Sequence, residues 1–292
     1  MVGREEKSNY RLTVLSFPYN TSKKIFVSAQ ESFVPIELNS PVAIISDTHL
    51  NTMGGHNDSE KNLPLLRNVA LPYYLRNNFR FILNGDIVDL WESKWYGIYK
   101  YNQDILDIFL TYALAWCKGN HDDDVDKFCT DFNRFCNGVI LMVRGKPVGS
   151  VWHGHQIDPG NCGNNLTDII RWFIRVIWTR IQQLIYRQQL PYEYSPAKNK
   201  ELALLLDNNL RKLTCDLKEL IVSGHTHSPS FTPCSTNEGV FINSGCWVNQ
   251  GGGHVLEYVN SKFQLVTWGW LDKFKTPIRI VYDGYKMIEE PI

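Results

Sequence analysis

No Cys-x-x-Cys pair occurs in this sequence, and its seven cysteines are an odd number. A disulfide framework and a structural zinc finger are therefore not expected, which favours a reducing compartment. Charge of either sign is not in excess. Lys+Arg and Asp+Glu both number 30, so no global field draws the chain to nucleic acid or to an anionic membrane. No uninterrupted apolar run reaches the roughly 18 residues that a membrane span needs. The opening stretch from Met1 to Lys7 has no apolar segment, so no signal peptide is expected and a cytoplasmic location is. Internal repeats and low-complexity tracts are missing too. What is present is an ordinary globular composition with 43% hydrophobic residues, enough to fill one large α/β domain or two small ones.

Short apolar runs punctuate the chain, and the residues just past each run are more informative than the runs themselves. Val42-Ala43-Ile44-Ile45 leads to Asp47-Thr48-His49, and Phe81-Ile82-Leu83 leads to Asn84-Gly85-Asp86 and Asp89. Ala113 to Cys117 leads to Gly119-Asn120-His121-Asp122, Val148 to Trp152 leads to His153-Gly154-His155, and Leu220-Ile221-Val222 leads to Gly224-His225-Thr226-His227. Each run reads as a buried strand that breaks into a loop. Helical spacing is expected over 63–76 and again over 104–112. The first 40 residues form a separate β-type extension, with strand-like pieces at Leu12–Leu15 and Lys24–Val27. Residues 41–292 make the main domain, interrupted by a helical insertion at about 164–216.

Six of the eight histidines fall in these strand-end clusters. One such histidine is an ordinary loop residue. Histidines and aspartates at five strand ends would be crowded together where the loops converge, and such crowding is costly unless a cation neutralises it. Imidazole, carboxylate and one amide oxygen suit Zn, Fe or Mn better than Mg or Ca. Seven candidate side chains exceed the needs of one ion, whereas two ions sharing a carboxylate would use them all. Two ions roughly 3.5–4 Å apart can clamp the attacking and leaving oxygens of a phosphoryl displacement and generate a hydroxide nucleophile near neutral pH.

In order and spacing, Asp47-x-His49, Gly85-Asp86-x-x-Asp89, Gly119-Asn120-His121-Asp122, His153 and Gly224-His225-Thr226-His227 resemble the motifs of calcineurin-like metallophosphoesterases. The resemblance implies a four-layer α-β-β-α sandwich with a dimetal site at the strand ends. It implies that Asp47, His49, Asp86 and His227 hold the first ion, and that Asn120, His153 and His225 hold the second, with Asp86 bridging. Manganese is the first choice of metal, with iron or zinc as alternatives. His121 would be the general acid, oriented by Asp122. A narrower resemblance, through Asp86-Ile87-Val88-Asp89-Leu90-Trp91, the insertion and Asn243-Ser244-Gly245-Cys246-Trp247, points to the UDP-2,3-diacylglucosamine hydrolase branch. That branch cleaves the pyrophosphate of a nucleotide-linked lipid under a helical lid. The chain departs from it in the 46 residues before Asp47 and in carrying His121 where Arg is typical.

The insertion has its own pattern. Leu166, Ile169, Ile170, Phe173, Val176, Ile177, Ile181 and Leu184 recur at helical spacing, with Arg180 and Arg187 toward one edge of the stripe. This is either a helix packed on the sheet or a lid that accepts a hydrocarbon tail while an arginine forks onto phosphate. Contact with an anionic membrane surface is a third reading, compatible with the second. Trp91 and His155 are candidate substrate contacts, Trp91 by stacking and His155 by its place two residues after His153. His254, in a glycine-rich stretch, reads as exposed. The expected function is a dimetal phosphohydrolase of a nucleotide-linked or lipid-linked substrate. Its rivals are a nuclease, disfavoured by the neutral charge, or a cyclic-nucleotide phosphodiesterase, and a non-catalytic scaffold.

Overall fold

A strand buried on both faces has no polar side to show, and Val42-Ala43-Ile44-Ile45 and Phe81-Ile82-Leu83 have none. In the computed structural model these form β2 (Val42–Ile45) and β3 (Arg80–Asn84). The structure describes residues 32–52, 61–158, 200–235, 238–248, 252–271, 276–283 and 286–290, together with Lys23 and Gln30. β2 and β3 run parallel to each other and to β4 (Ala113–Cys117) and β5 (Phe135–Cys136). On its other side β2 meets the antiparallel strands β11 (Gly253–Val259), β12 (Lys262–Trp270), β13 (Pro277–Asp283) and β14 (Lys286–Glu290), which complete an eight-stranded sheet. The second sheet has six strands in the order β1 (Val34–Glu37), β6 (Val139–Val143), β7 (Lys146–Val151), β8 (Leu220–Ser223), β10 (Val240–Asn243) and β9 (Ser230–Pro233).

Period-two alternation sorts the apolar side chains into separate layers. Val42, Ile44, Ile82 and Ala115 meet Val139, Leu141, Val222 and Ile242 between the two sheets. Their chain neighbours Ala43, Ile45, Phe81, Leu83 and Trp116 point the other way, against α1 (residues 63–76) and α2 (Trp95–Tyr112). Behind the six-stranded sheet, Trp152, Ile221 and Phe241 pack on Leu206, Leu210 and Leu213 of α3 (Lys200–Leu217). The result is a four-layer α-β-β-α sandwich.

Several boundaries differ from the sequence reading. The middle of α1 is a π turn, Leu66–Ala70, in which the Leu71 N–H reaches the Leu66 carbonyl; Pro72 beyond it has no N–H to offer the ladder. α2 begins at Trp95 rather than 104 because it continues across an irregular turn at Asn102 (φ −126°). The Asn102 amide ties that turn down by donating to the Ile98 and Asn51 carbonyls at 3.0 and 2.9 Å. Residues 200–216, assigned to the insertion, belong to α3 and so to the sandwich itself. Val34–Glu37, assigned to the N-terminal extension, is the edge strand β1, paired in parallel with β6. The helix expected over 165–190, with Arg180 and Arg187, lies outside the described residues, as do the strand-like pieces at 12–15 and 24–27.

Two further features bear on stability and compartment. A disulfide joins Cys215 at the end of α3 to Cys234 just past β9, against the expectation from cysteine number; pairing depends on distance in space, which a count does not contain. That bond also weighs against the inferred reducing compartment. Among the described residues no helix is long and apolar enough to cross a membrane. In the outer core, Arg279 and Glu257 form a buried ion pair, and Glu257 also accepts a hydrogen bond from the Tyr74 hydroxyl at 2.8 Å.

Candidate metal centre

Because β2, β3 and β4 are parallel, and β7, β8 and β10 are parallel, six strands deliver their carboxyl ends in two groups. That edge is where open α/β sheets place ligands. The two groups meet: the His225 N–H, after β8, donates to Asp47 Oδ2, after β2, at 3.1 Å. Glycines let the loops approach this closely. A Cβ on Gly224 would collide with Ser46 and Asp47, one on Gly119 with Asp86, and one on Gly85 with the His153 ring.

Six of the seven candidate ligands fall into two touching groups, and the seventh, Asn120, is buried between Gly119 and His121 on the loop that meets Asp86. In the first, His227 Nε2 lies 3.0 Å from Asp47 Oδ1, and His49 Nε2 lies 3.3 Å from His227 Nε2 and 3.9 Å from Asp47 Oδ1. In the second, His153 Nε2 lies 3.2 Å from Asp86 Oδ2, and its ring centroid is 5.2 Å from that of His225. Asp86 stands between the groups, with Oδ2 also 3.8 Å from His49 Nε2. Potential ligand atoms converge within 4.8 Å in Asp47, His49 and His227, and again in Asp86, His153 and His225. Five of these residues hold left-handed backbone: Asp47 (φ 52°), His49 (44°), Asp86 (53°), His225 (65°) and His227 (57°). Each such non-glycine position costs roughly 1–3 kcal/mol, and such strain collects where side chains must be aimed.

The donor chemistry fits a metal. His153 Nδ1 lies 2.8 Å from the Asn84 carbonyl, which can only accept, so Nδ1 carries a hydrogen and Nε2, on the carboxylate side, is the atom that would give up its proton to bind a metal. That Nε2 lies 3.2 Å from Asp86 Oδ2 but not in hydrogen-bond geometry, and the buried Asn120 Oδ1 has no hydrogen-bond partner among the described residues. Buried polar atoms without partners are expensive, and a cation would satisfy both. The electrostatics point the same way. Burial opposes charge on His153, but Asp86 and Asp47 outweigh it and raise the imidazole to about 10. Burial likewise pushes the Asp47 carboxyl up, yet His227 and His153 beside it hold it below its ordinary value. At His227 burial outweighs the carboxylates, and the imidazole is pushed below its ordinary value and so toward the neutral form that binds metals.

His121 stands at the edge of this cluster. Its N–H donates to Asp86 Oδ1 at 2.8 Å, its Nδ1 lies 3.1 Å from Asp89 Oδ1, and its ring stacks on the Trp91 indole at 4.2 Å. Burial disfavours the imidazolium, but with no ion in the cluster Asp89 and Asp86 raise His121 to about 9. The partner of His121 is thus Asp89 rather than Asp122. The Asp122 side chain turns inward and accepts from the N–H groups of Ile87 and Gly119 and from Trp116 Nε1, which fixes the loop. Trp91, expected to stack on substrate, stacks on the His121 ring. His155 lies near the second group, its ring 5.4 Å from His153, and lines a cavity of about 300 Å³ with Lys118, Gly119, Asp123, Asn137 and Gln156. His254 is not a loop residue; it lies in β11 with Nδ1 at 3.2 Å from the Cys246 carbonyl.

Asp158 escaped the sequence reading. Its Oδ2 lies 2.8 Å from His225 Nε2, so it orients that imidazole as carboxylates behind ligand histidines do. A single aspartate in a polar stretch gave no periodic or motif signal.

The chain belongs to the calcineurin-like phosphoesterase family, whose sequence pattern matches residues 40–229. No curated protein matches it in sequence. Among solved structures it is similar to a novel archaeal phosphodiesterase at 14% identity, covering 78% of this chain and 99% of that chain with a TM-score of 0.36. It is similar also to Vps29 of Entamoeba histolytica in complex with zinc, at 13% identity, 86% and 98% coverage and a TM-score of 0.36. A third is the cold-active protein-tyrosine phosphatase of a Shewanella species, at 13% identity, 80% and 78% coverage and a TM-score of 0.34.

Proposed function

We propose that this chain hydrolyses a phosphoester or pyrophosphate bond with two divalent cations. Asp47, His49, Asp86 and His227 would hold one, and Asp86, Asn120, His153 and His225 would hold the other. The observation that carries the reading is the place of Asp86 between two separate sets of imidazoles. Nitrogen and oxygen donors without thiolate suit manganese, iron or zinc. When bound, such ions polarise the phosphoryl oxygens and acidify water. The protein supplies the rest. Its strained loops hold the ligands in place, Asp89 and Trp91 fix the His121 ring, and His121 delivers a proton to the departing oxygen.

For the substrate we favour a nucleotide-linked or lipid-linked diphosphate such as UDP-2,3-diacylglucosamine. The narrower sequence resemblance and the basic amphipathic stripe with Arg180 and Arg187 support this, and peripheral membrane contact would be a consequence of the same stripe. Neutral overall charge disfavours nucleic acid as a substrate.

Purified protein loaded with manganese should turn over bis-p-nitrophenyl phosphate, and Asp86→Ala should abolish that turnover. A wild-type protein inert with manganese, iron and zinc alike would make the chain a scaffold. A panel of nucleotide-diphospho-lipids, cyclic nucleotides and phosphomonoesters then separates the substrate classes.

A further inference from the structure

His225 and His227 flank Thr226, and both hold strained left-handed backbone. Support for the residue between them comes from behind the loop. Thr226 Oγ1 donates to Asp207 Oδ1 at 2.9 Å, and Asn243 Nδ2 donates to Thr226 Oγ1 at 2.7 Å. The same amide lies 3.3 Å from both the Gly224 carbonyl and Asp207 Oδ1. Asp207 belongs to α3, on the far side of the six-stranded sheet. Its helix is fixed by the packing of Leu206, Leu210 and Leu213 and by the Cys215–Cys234 bond. One carboxylate in the outer helix layer thus anchors the single residue that joins a ligand of the first group to a ligand of the second.

We propose that Asp207 is a positioning residue for both ions at once, acting through Thr226. Asp158 supplies the contrast: its carboxylate bonds the His225 ring, a ligand of the second group, and its loss should weaken the second ion only. The inference rests on the two-ion reading above. Removing a group that orients ligand side chains lowers metal affinity by roughly 10–100-fold, and that is the loss expected here at each site.

The test is manganese binding at equilibrium, by dialysis with metal analysis, on the full chain. Asp207→Ala should weaken both sites by that factor. Asp207→Asn should restore them, because both hydrogen bonds fall on the single oxygen Oδ1, which an amide can reproduce. Thr226→Val removes the same bond from the other end with little change of shape; it should match Asp207→Ala, and it carries the test alone if Asp207→Ala fails to fold. Wild-type affinity in Asp207→Ala, weakening of only one site, or no rescue by Asp207→Asn would each overturn the proposal. A wild-type protein that binds no manganese would instead overturn the two-ion reading itself.

Discussion

If His121 protonates the leaving oxygen, its removal should be felt in proportion to how badly that oxygen needs a proton. Three contacts fix the ring: the hydrogen bond to Asp89, the stack on Trp91, and the backbone bond from His121 N to Asp86. Only the third survives in His121→Ala. A positioned general acid contributes roughly 10²–10⁴-fold, equivalent to about 3–5 kcal/mol of transition-state stabilisation. The whole of that loss should appear with alkyl phosphodiesters, whose alkoxide leaves poorly without a proton. With p-nitrophenyl esters, which depart readily as the anion, His121→Ala should lose no more than about tenfold by the same reasoning. Asp89→Asn should fall between wild type and His121→Ala, because an amide oxygen can still accept from Nδ1 but carries no charge. The measurement is kcat/KM across a graded series of aryl and alkyl esters at saturating manganese. Equal losses along the whole series would mean that His121 stabilises charge on phosphorus or merely holds the loop, and the proton-donor assignment would fall.

Features away from the leaving group carry their own expectations. Arg279→Leu should strand Glu257 in the core and cost about 3–5 kcal/mol by chemical denaturation, while the double change of Arg279→Leu with Glu257→Leu should recover most of it. Gly224→Ala should leave the secondary structure intact by circular dichroism yet abolish manganese binding, since its Cβ would occupy the space of Ser46 and Asp47. Reducing the Cys215–Cys234 bond, whose partners are 19 residues apart, should lower stability by roughly 3 kcal/mol on the chain-entropy argument; an unchanged denaturation midpoint in dithiothreitol would show that this loop is already constrained in the unfolded chain.

The architecture was legible because its central strands are apolar on both faces and stop abruptly at polar residues. Val42–Ile45 and the run before Gly85 carry that signal without help from context. The clustering of histidines and aspartates was legible for the same reason: such a residue directly after a buried strand has little choice of direction. Side-chain aim beyond that was not. Asp122 is adjacent to His121 in sequence, but its carboxylate turns toward the Ile87 and Gly119 amides, and Asp89 comes from another loop. Asp207 left a trace that can be read in hindsight. It falls four residues after Ala203 and three before Leu210, both buried, so a carboxylate interrupts the apolar face of α3. A charged residue on a buried helix face needs a partner, and here the partner is Thr226, in the loop after β8.

The order in which the ligands leave the ribosome has a consequence of its own. Asp47 and His225, in direct contact, are separated by 178 positions. The earlier half of the cluster, from Asp47 to Asn120, is complete in sequence long before β8 exists. Until synthesis passes residue 225 no nascent chain could close the second set of imidazoles around an ion, and until it passes residue 227 none could close the first. Loading would therefore be a late event that reports the docking of one sheet on the other. An ion once seated also resists their separation, since each loop drawn away would have to surrender a ligand. Cations bound there would act as rivets across the seam, and unfolding in their presence should be slower than unfolding in a chelator.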